Sequence, residues 1–278
     1  MPWSFSEDFE PYAERVVPLL SRDPAAYTIG LSIIDTLRAG HRFGDAPMFF
    51  GWLEEDGEVR GAISRTPPYD LLLSVVPDVE ALVRALRERG AEVPGVNGEV
   101  ESVERFAAAW TAGTDLQAST WLQLRQFALG ELEPPDPPPP GRPRTAAEDD
   151  FDLAMRWFDA FSEELGLPER MQEAYARQRV ADGMLWLWED AAGTPAALAL
   201  RTPAAAGVAR INCVYTPPEQ RGRRFGGAIT AACAADALAR EAERVVLFTD
   251  ADNPAPNKVY ERIGFRLVAD HRVVHFKS

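Results

Sequence analysis

The chain reads as an α/β (α+β) protein of two similar domains, each a mixed, mostly antiparallel central sheet flanked by helices. Three observations predict this. Short apolar runs alternate with segments of helical period through the C-terminal half. The stretch Glu131 to Arg144, "ELEPPDPPPPGRPR", carries too many prolines for helix or sheet interior, because each removes a backbone donor and holds its predecessor extended. It reads as a stiff connector over 131–144, between domains at 1–130 and 145–278. Finally, "WLEEDGEVRGAISRTP", Trp52 to Pro67, lies without gaps over "WEDAAGTPAALALRTP", Trp188 to Pro203, matching the tryptophan, Gly57 with Gly193, and both Arg-Thr-Pro triplets. A tandem duplication and a chance likeness over a short window both account for this echo.

Each echoed segment predicts a β-hairpin turning at its glycine, followed by an apolar strand: "YDLLLSVV" in the first copy, "GVARINCVY" in the second. The first copy continues into a helix, "PDVEALVRALRERG", with no glycine-rich entry. In the second half, apolar spacing predicts helices over Phe151 to Glu164 and around Pro168 to Asp182. After the hairpin comes a strand ending near Tyr215, then a turn rich in arginine and glycine. An alanine-rich helix runs from about Gly226 to Glu241. "RVVLFTD" is then a buried strand, "PAPNKVYERIG" a short helix stopped by Gly264, and "FRLVAD" with "HRVVHF" a terminal pair of strands.

Composition bounds the function. With 46% hydrophobic and 26% charged residues, the chain is an ordinary globular protein and not a disordered one. The N-terminus carries early acids and no basic-then-apolar pattern, and no long apolar run occurs, so neither a signal peptide nor a membrane span is expected. A cytoplasmic location follows by default. The net charge of −14 argues against general nucleic-acid binding, which needs a basic face. Two cysteines and three histidines exclude a disulfide framework and a cysteine-based zinc site. His271 and His275 share a strand face but lack neighbouring ligand types, so no metal is expected.

Against that charge, "PEQRGRRFGG", Pro218 to Gly227, concentrates arginines and glycines between a strand and a helix. Such a turn points free amides and the positive end of the helix dipole at one place. Gly222, Gly226 and Gly227 remove Cβ obstacles, and Arg221, Arg223 and Arg224 offer charged donors to phosphate oxygens. A glycine-rich turn also serves as a plain helix start. The stretch is neither a P-loop, since Ala-Ile follows Gly227, nor a Gly-x-Gly-x-x-Gly dinucleotide loop.

"VYTPPEQRGRRFGGAITAA", followed by "LFTDADNPAPNKVYERIGF", resembles the GNAT superfamily of acyl-CoA-dependent N-acetyltransferases over the C-terminal half. The resemblance implies that Arg221, Gly222, Arg223, Arg224, Phe225 and Gly226 hold the CoA pyrophosphate, with Gly227 following; Arg224 stands where the pattern usually has glycine. It further implies that Val214, Tyr215 and Thr216 offer main-chain groups to the pantetheine arm and acyl carbonyl. Asn253 and Asn257 would lie near the cofactor, and Tyr260 would donate a proton to the departing thiolate. Asn257 and Tyr260, three apart, share one side of a helix; Tyr260 is equally readable as a core tyrosine. The N-terminal half, without the loop, resembles the degenerate first domain of tandem GNAT proteins, which supports the fold or shapes the acceptor cleft.

The activity implied is acetyl transfer from acetyl-CoA to a primary amine of a small molecule or peptide, by direct attack through a tetrahedral intermediate. The alternative is a non-catalytic acyl-CoA-binding or regulatory module. Glu189, Asp190, Asp250 and Asp252 are candidate bases by their position near strand ends. Trp157, Phe158, Phe161, Trp186 and Trp188 are candidates for an acceptor pocket or for the core.

Overall fold

The computed structural model describes residues 3–167 and 170–278. The chain divides into two compact units: Met1–Arg125 with Asp250–Asp252 and Ala269–Ser278, and Gln126–Thr249 with Asn253–Val268.

In the first unit, β1 (Trp3–Ser6), α1 (Phe9–Leu20) and α2 (Thr28–Arg38) precede the hairpin of β2 (Phe49–Glu55) and β3 (Glu58–Arg65). Then follow β4 (Leu71–Val75), α3 (Val79–Glu88), β5 (Gly95–Glu99), α4 (Val100–Thr111) and β6 (Gln117–Leu129). Strands β1 to β4 pair antiparallel in sequence order, and β4 pairs parallel with β5. The chain's last strand completes this unit, His271–His275 pairing antiparallel with β5.

The second unit contains β7 (Arg142–Thr145), α5 (Phe151–Glu164), α6 (Glu173–Ala181), and the hairpin of β8 (Leu185–Glu189) with β9 (Pro195–Arg201). It continues through β10 (Val208–Tyr215), α7 (Phe225–Arg240), β11 (Arg244–Asp250), α8 (Pro254–Arg262) and the start, up to Val268, of β12 (Phe265–Lys277), whose remainder belongs to the first unit. Pairing is again antiparallel from β7 to β10 and parallel between β10 and β11. The end of the proline-rich stretch thus enters the sheet at its border, where β7 pairs with β8 alone; an edge strand tolerates Pro143 because only one side needs donors.

Both echoed hairpins turn at the matched glycines, Gly57 at φ +77° and Gly193 at φ +80°. Helix α5 has the predicted bounds, and α6 begins at Glu173; its expected start at Pro168 lies outside the described residues. One expectation is corrected. "FRLVAD" and "HRVVHF" form a single 13-residue strand, because nothing between Asp270 and His271 supplies the glycine, proline or asparagine chemistry of a turn.

The second unit buries apolar side chains on both faces of its sheet. Ala197, Ala199, Ile211 and Val245 pack against Phe225, Ile229 and Cys233 of α7 on one face. Leu198, Leu200 and Cys213 pack against Phe158, Ala176 and Val180 of α5 and α6 on the other. Gly227 is where α8 comes closest to α7: a Cβ there would lie 3.1 Å from Val259. No helix among the described residues is long and apolar enough to cross a membrane.

His271 in the first unit is buried, and burial lowers its pKa to about 4, Asp270 opposing. The unfolded chain, near the ordinary histidine value of about 6.5, therefore binds more protons between these limits. Stability falls as pH drops from about 6.5 towards 4, and His271→Gln flattens this acid limb in thermal unfolding followed against pH.

Candidate functional site

Strands β10 and β11 run parallel from Val208↔Arg244 to Ile211↔Leu247, where the register ends. Beyond Ile211, β10 keeps its other partner, β9, through a bulge before Cys213 and on to Tyr215↔Leu198. The two strands therefore part at the bulge, leaving main-chain groups of residues 212–215 on that side outside the ladder. A wedge between parallel strands suits an extended ligand that can take up strand-like hydrogen bonds.

The arginine-glycine turn begins where β10 ends. A 3-10 turn over Pro218–Gln220 is followed by Gly222 at φ +76° and Arg224 at φ +66°. Arg224 is the N-cap residue of α7 and its side chain makes no cap to the first-turn amides, which stand at the positive end of a 16-residue helix. A Cβ at Gly226 would meet the Thr216 hydroxyl at 3.3 Å, and Phe225 behind it is buried. The left-handed conformation of Arg224 explains why glycine is the usual residue at that place: any Cβ strains it.

The three arginines are disposed differently. Arg221 donates from Nε to the Thr216 carbonyl at 2.9 Å and places Nη2 on both carboxylate oxygens of Glu164, at 2.8 and 2.6 Å. The Tyr215 hydroxyl donates to the same carboxylate at 3.3 Å, and its ring lies 6.1 Å from Trp157. Arg223 bonds the Gln220 side chain at 2.5 Å and stacks over Phe225 at 4.8 Å. Arg224 is exposed. Glu164 thus stands where a bound anion would compete for Arg221. Sequence reasoning missed it, since an acid at a helix end is indistinguishable from a solvated one. Because Glu164 and Arg221 are both nearly half exposed, their pairing is worth about 0–1 kcal/mol. Glu164→Gln should accordingly tighten a diphosphate ligand by up to about fivefold, measured by calorimetry.

Helix α8 supplies the remaining predicted residues. Asn253, its N-cap, is exposed and makes no side-chain cap; Asn257 is buried. Tyr260 is 9% exposed and meets Phe265 edge-on at 6.2 Å. Burial, and then the Cys213 thiol of β10, push its pKa well above the ordinary phenol value, so it keeps its proton at any physiological pH. Val214 is half-buried against the α7-side core. Gly227 serves the approach of α8 to α7.

The candidate bases have structural duties. Glu189 is held by Arg144 at 2.6 Å and Arg142 at 3.2 Å, with Arg144 foremost in lowering its pKa, which makes it a poor proton acceptor. Asp190 accepts the amides of Ala192 and Thr194 in the β8–β9 turn, and Asp250 accepts that of Asp252. Asp252 is exposed. Trp188 and Phe158 are core residues; Trp157, Phe161 and Trp186 pack against the core while partly exposed. His275 bonds Asp70 at 3.1 Å and stacks on Trp121. Among the described residues no group of three or more His, Cys, Asp or Glu could hold a metal.

Residues 151–265 match the acetyltransferase (GNAT) family. A mycothiol acetyltransferase from Corynebacterium aurimucosum is 30% identical over 121 residues, 44% of this chain and 36% of that protein, so the match spans little more than a third of the relative's length. A GCN5-related N-acetyltransferase from Sphaerobacter thermophilus has a similar fold, with TM-score 0.63 at 16% identity, covering 99% of this chain and 95% of that one. A tandem GNAT protein from the clavulanic acid biosynthesis pathway does so with TM-score 0.58 at 15% identity, covering 99% and 98%. The shared fold extends over both units.

Proposed function

We propose, from the premise that residues 151–265 form a domain of the acetyltransferase (GNAT) family, that this protein transfers an acetyl group from acetyl-CoA to a primary amine of a small molecule or peptide. The observation that carries the reading is the parting of β10 and β11 beside an uncapped helix terminus. Acetyl-CoA would supply an activated acyl thioester, and its diphosphate has the charge and reach for the turn from Arg221 to Gly227. There the first-turn amides of α7 and the Arg223 and Arg224 side chains would hold it, with Arg221 joining by exchanging Glu164 for phosphate.

Main-chain groups of Val214, Tyr215 and Thr216 would orient the pantetheine arm and steady the oxyanion formed as the neutral amine attacks the carbonyl. Tyr260, protonated by its surroundings, would give its proton to the thiolate as the thioester bond breaks. The amine must lose a proton on the way, to a general base or through a chain of waters. Asn253 and Asn257 would flank the cofactor on α8. The protein would act in the cytoplasm, without metal, nucleic acid or membrane, and its first unit would support the fold or shape the acceptor side.

Calorimetry with coenzyme A tests the seat directly. Gly222→Val and Gly226→Val should each abolish a heat signal that wild type gives; unchanged binding would remove the basis of the reading. CoA release from acetyl-CoA over a panel of amines then separates a transferase from a module that binds without turnover.

A further inference from the structure

Among the described residues, Arg210 has a shielded guanidinium nitrogen, Nη1, with no hydrogen-bond partner. It is the third residue of β10, immediately before Ile211, where pairing with β11 ends, and just ahead of the bulge. Its main chain is satisfied by Thr202, whose hydroxyl accepts its N–H at 3.0 Å and whose N–H donates to its carbonyl at 2.9 Å. The guanidinium is not: Nη1 is shielded from solvent and has no hydrogen-bond partner. Among the described residues, Tyr175 of α6 is the ionisable neighbour that acts on it, and burial foremost lowers its pKa. Other shielded arginines of this unit each meet a carboxylate: Arg201 meets Asp236 and Glu241, Arg144 meets Asp150 and Glu189, and Arg179 meets Asp182.

A guanidinium nitrogen that is shielded and unpaired is costly to keep unless something anionic pairs with it. The strand neighbours Ala209 and Ile211 face the α7-side core, so Arg210 between them faces the α6 side of the sheet, the side on which Cys213 also lies. From Arg210 to Cys213, whose thiol acts electrostatically on the Tyr260 phenol, is about 10 Å of strand before the bulge shortens it. An arginine side chain covers much of that distance, so the remainder fits a compact molecule with an anion at one end and an amine near the reacting thioester.

We propose that Arg210 binds the carboxylate of the acceptor, so that the preferred substrates are amines bearing a carboxylate a few bonds away, of the amino-acid type. This rests on the acetyl-transfer reading, and it names the acceptor class which that reading leaves open. A guanidinium fork matches a planar carboxylate with two parallel bonds.

The test compares amino acids with the amines that lack their carboxylate, phenylalanine with phenethylamine and lysine with cadaverine, in the full-length protein. Wild type should favour the carboxylated member of each pair in kcat/KM by about 10–100-fold, the scale of charge-assisted hydrogen bonds. Arg210→Gln should bring that ratio close to one, and Arg210→Lys should restore part of it. Equal ratios in wild type and Arg210→Gln overturn the proposal. Thermal unfolding provides a readout independent of turnover: millimolar N-acetylphenylalanine, but not its amide, should raise the Tm of wild type and leave Arg210→Gln unmoved. Failure of carboxylates to shift wild type means that water alone meets Arg210, and the proposal falls whatever the activity. If no amine is acetylated while the carboxylate shift appears and vanishes with Arg210→Gln, the transferase reading fails and the carboxylate site stands. Arg210→Met should raise the Tm of the ligand-free protein, since it removes an unpaired charge; a fall of several degrees identifies a structural residue and overturns the proposal.

Discussion

Tyr260→Phe lowers kcat by about 10²–10⁴-fold, the range for loss of a positioned general acid, while coenzyme A still binds with wild-type affinity. The substitution removes one oxygen and keeps the ring, so the edge-on packing on Phe265 survives and the fold should not respond. Because burial and Cys213 hold the phenol far above its usual range, the kcat profile of wild type should show no falling limb from this group up to about pH 10. Steady-state kinetics with calorimetry on the same samples decide it. Turnover within about twofold of wild type would make Tyr260 a packing residue and leave the thiolate to be protonated by solvent.

Asp236→Ala destabilises the second unit by about 3 kcal/mol, the lower end of what breaking a buried pair costs. Arg201 is wholly buried on β9, with Nη2 3.0 Å from Asp236 and Nη1 2.6 Å from Glu241, both acids reaching it from α7 and its C-terminal end. Removing Asp236 leaves a guanidinium in a dry place with one acid instead of two, and strips Arg240 of its partner at 2.7 Å. Arg201→Met should cost less than Asp236→Ala, because it removes the charge that needs satisfying. Thermal or urea unfolding measures the order; the reverse order would mean that the Arg201 stem, and not its charge, holds β9 to α7.

The matched Arg-Thr-Pro triplets show how far sequence reasoning reaches. Their repetition, and the hairpins before them, were legible because turn chemistry and two-residue periodicity are local properties. That both arginines are buried, and that Arg201 is neutralised by α7 while Arg65 has a shielded Nη1 with no hydrogen-bond partner, was not legible, because the acids involved lie 35 and 40 residues away in the chain. The terminal strand is a similar case. Its residues are strand-forming by composition, yet the sequence suggests two strands meeting at Asp270–His271 where there is one, and the membership of Ala269–Ser278 in the first unit carries no local signal.

From its residues alone this chain predicts a mixed α/β architecture in two similar halves and a turn from Arg221 to Gly227, entering a helix, with the chemistry to take an anion. Those conclusions need only propensities, periodicity and the conformational freedom of glycine, which act over a few residues. Tertiary structure alone decided that β10 parts from β11 after Ile211, that Arg221 is held by Glu164, and that Nη1 of Arg210 has no hydrogen-bond partner among the described residues. Each of these is a meeting, or a failure to meet, between groups distant in the chain, and the pairing of charges and strand edges is settled by which surfaces packing brings together.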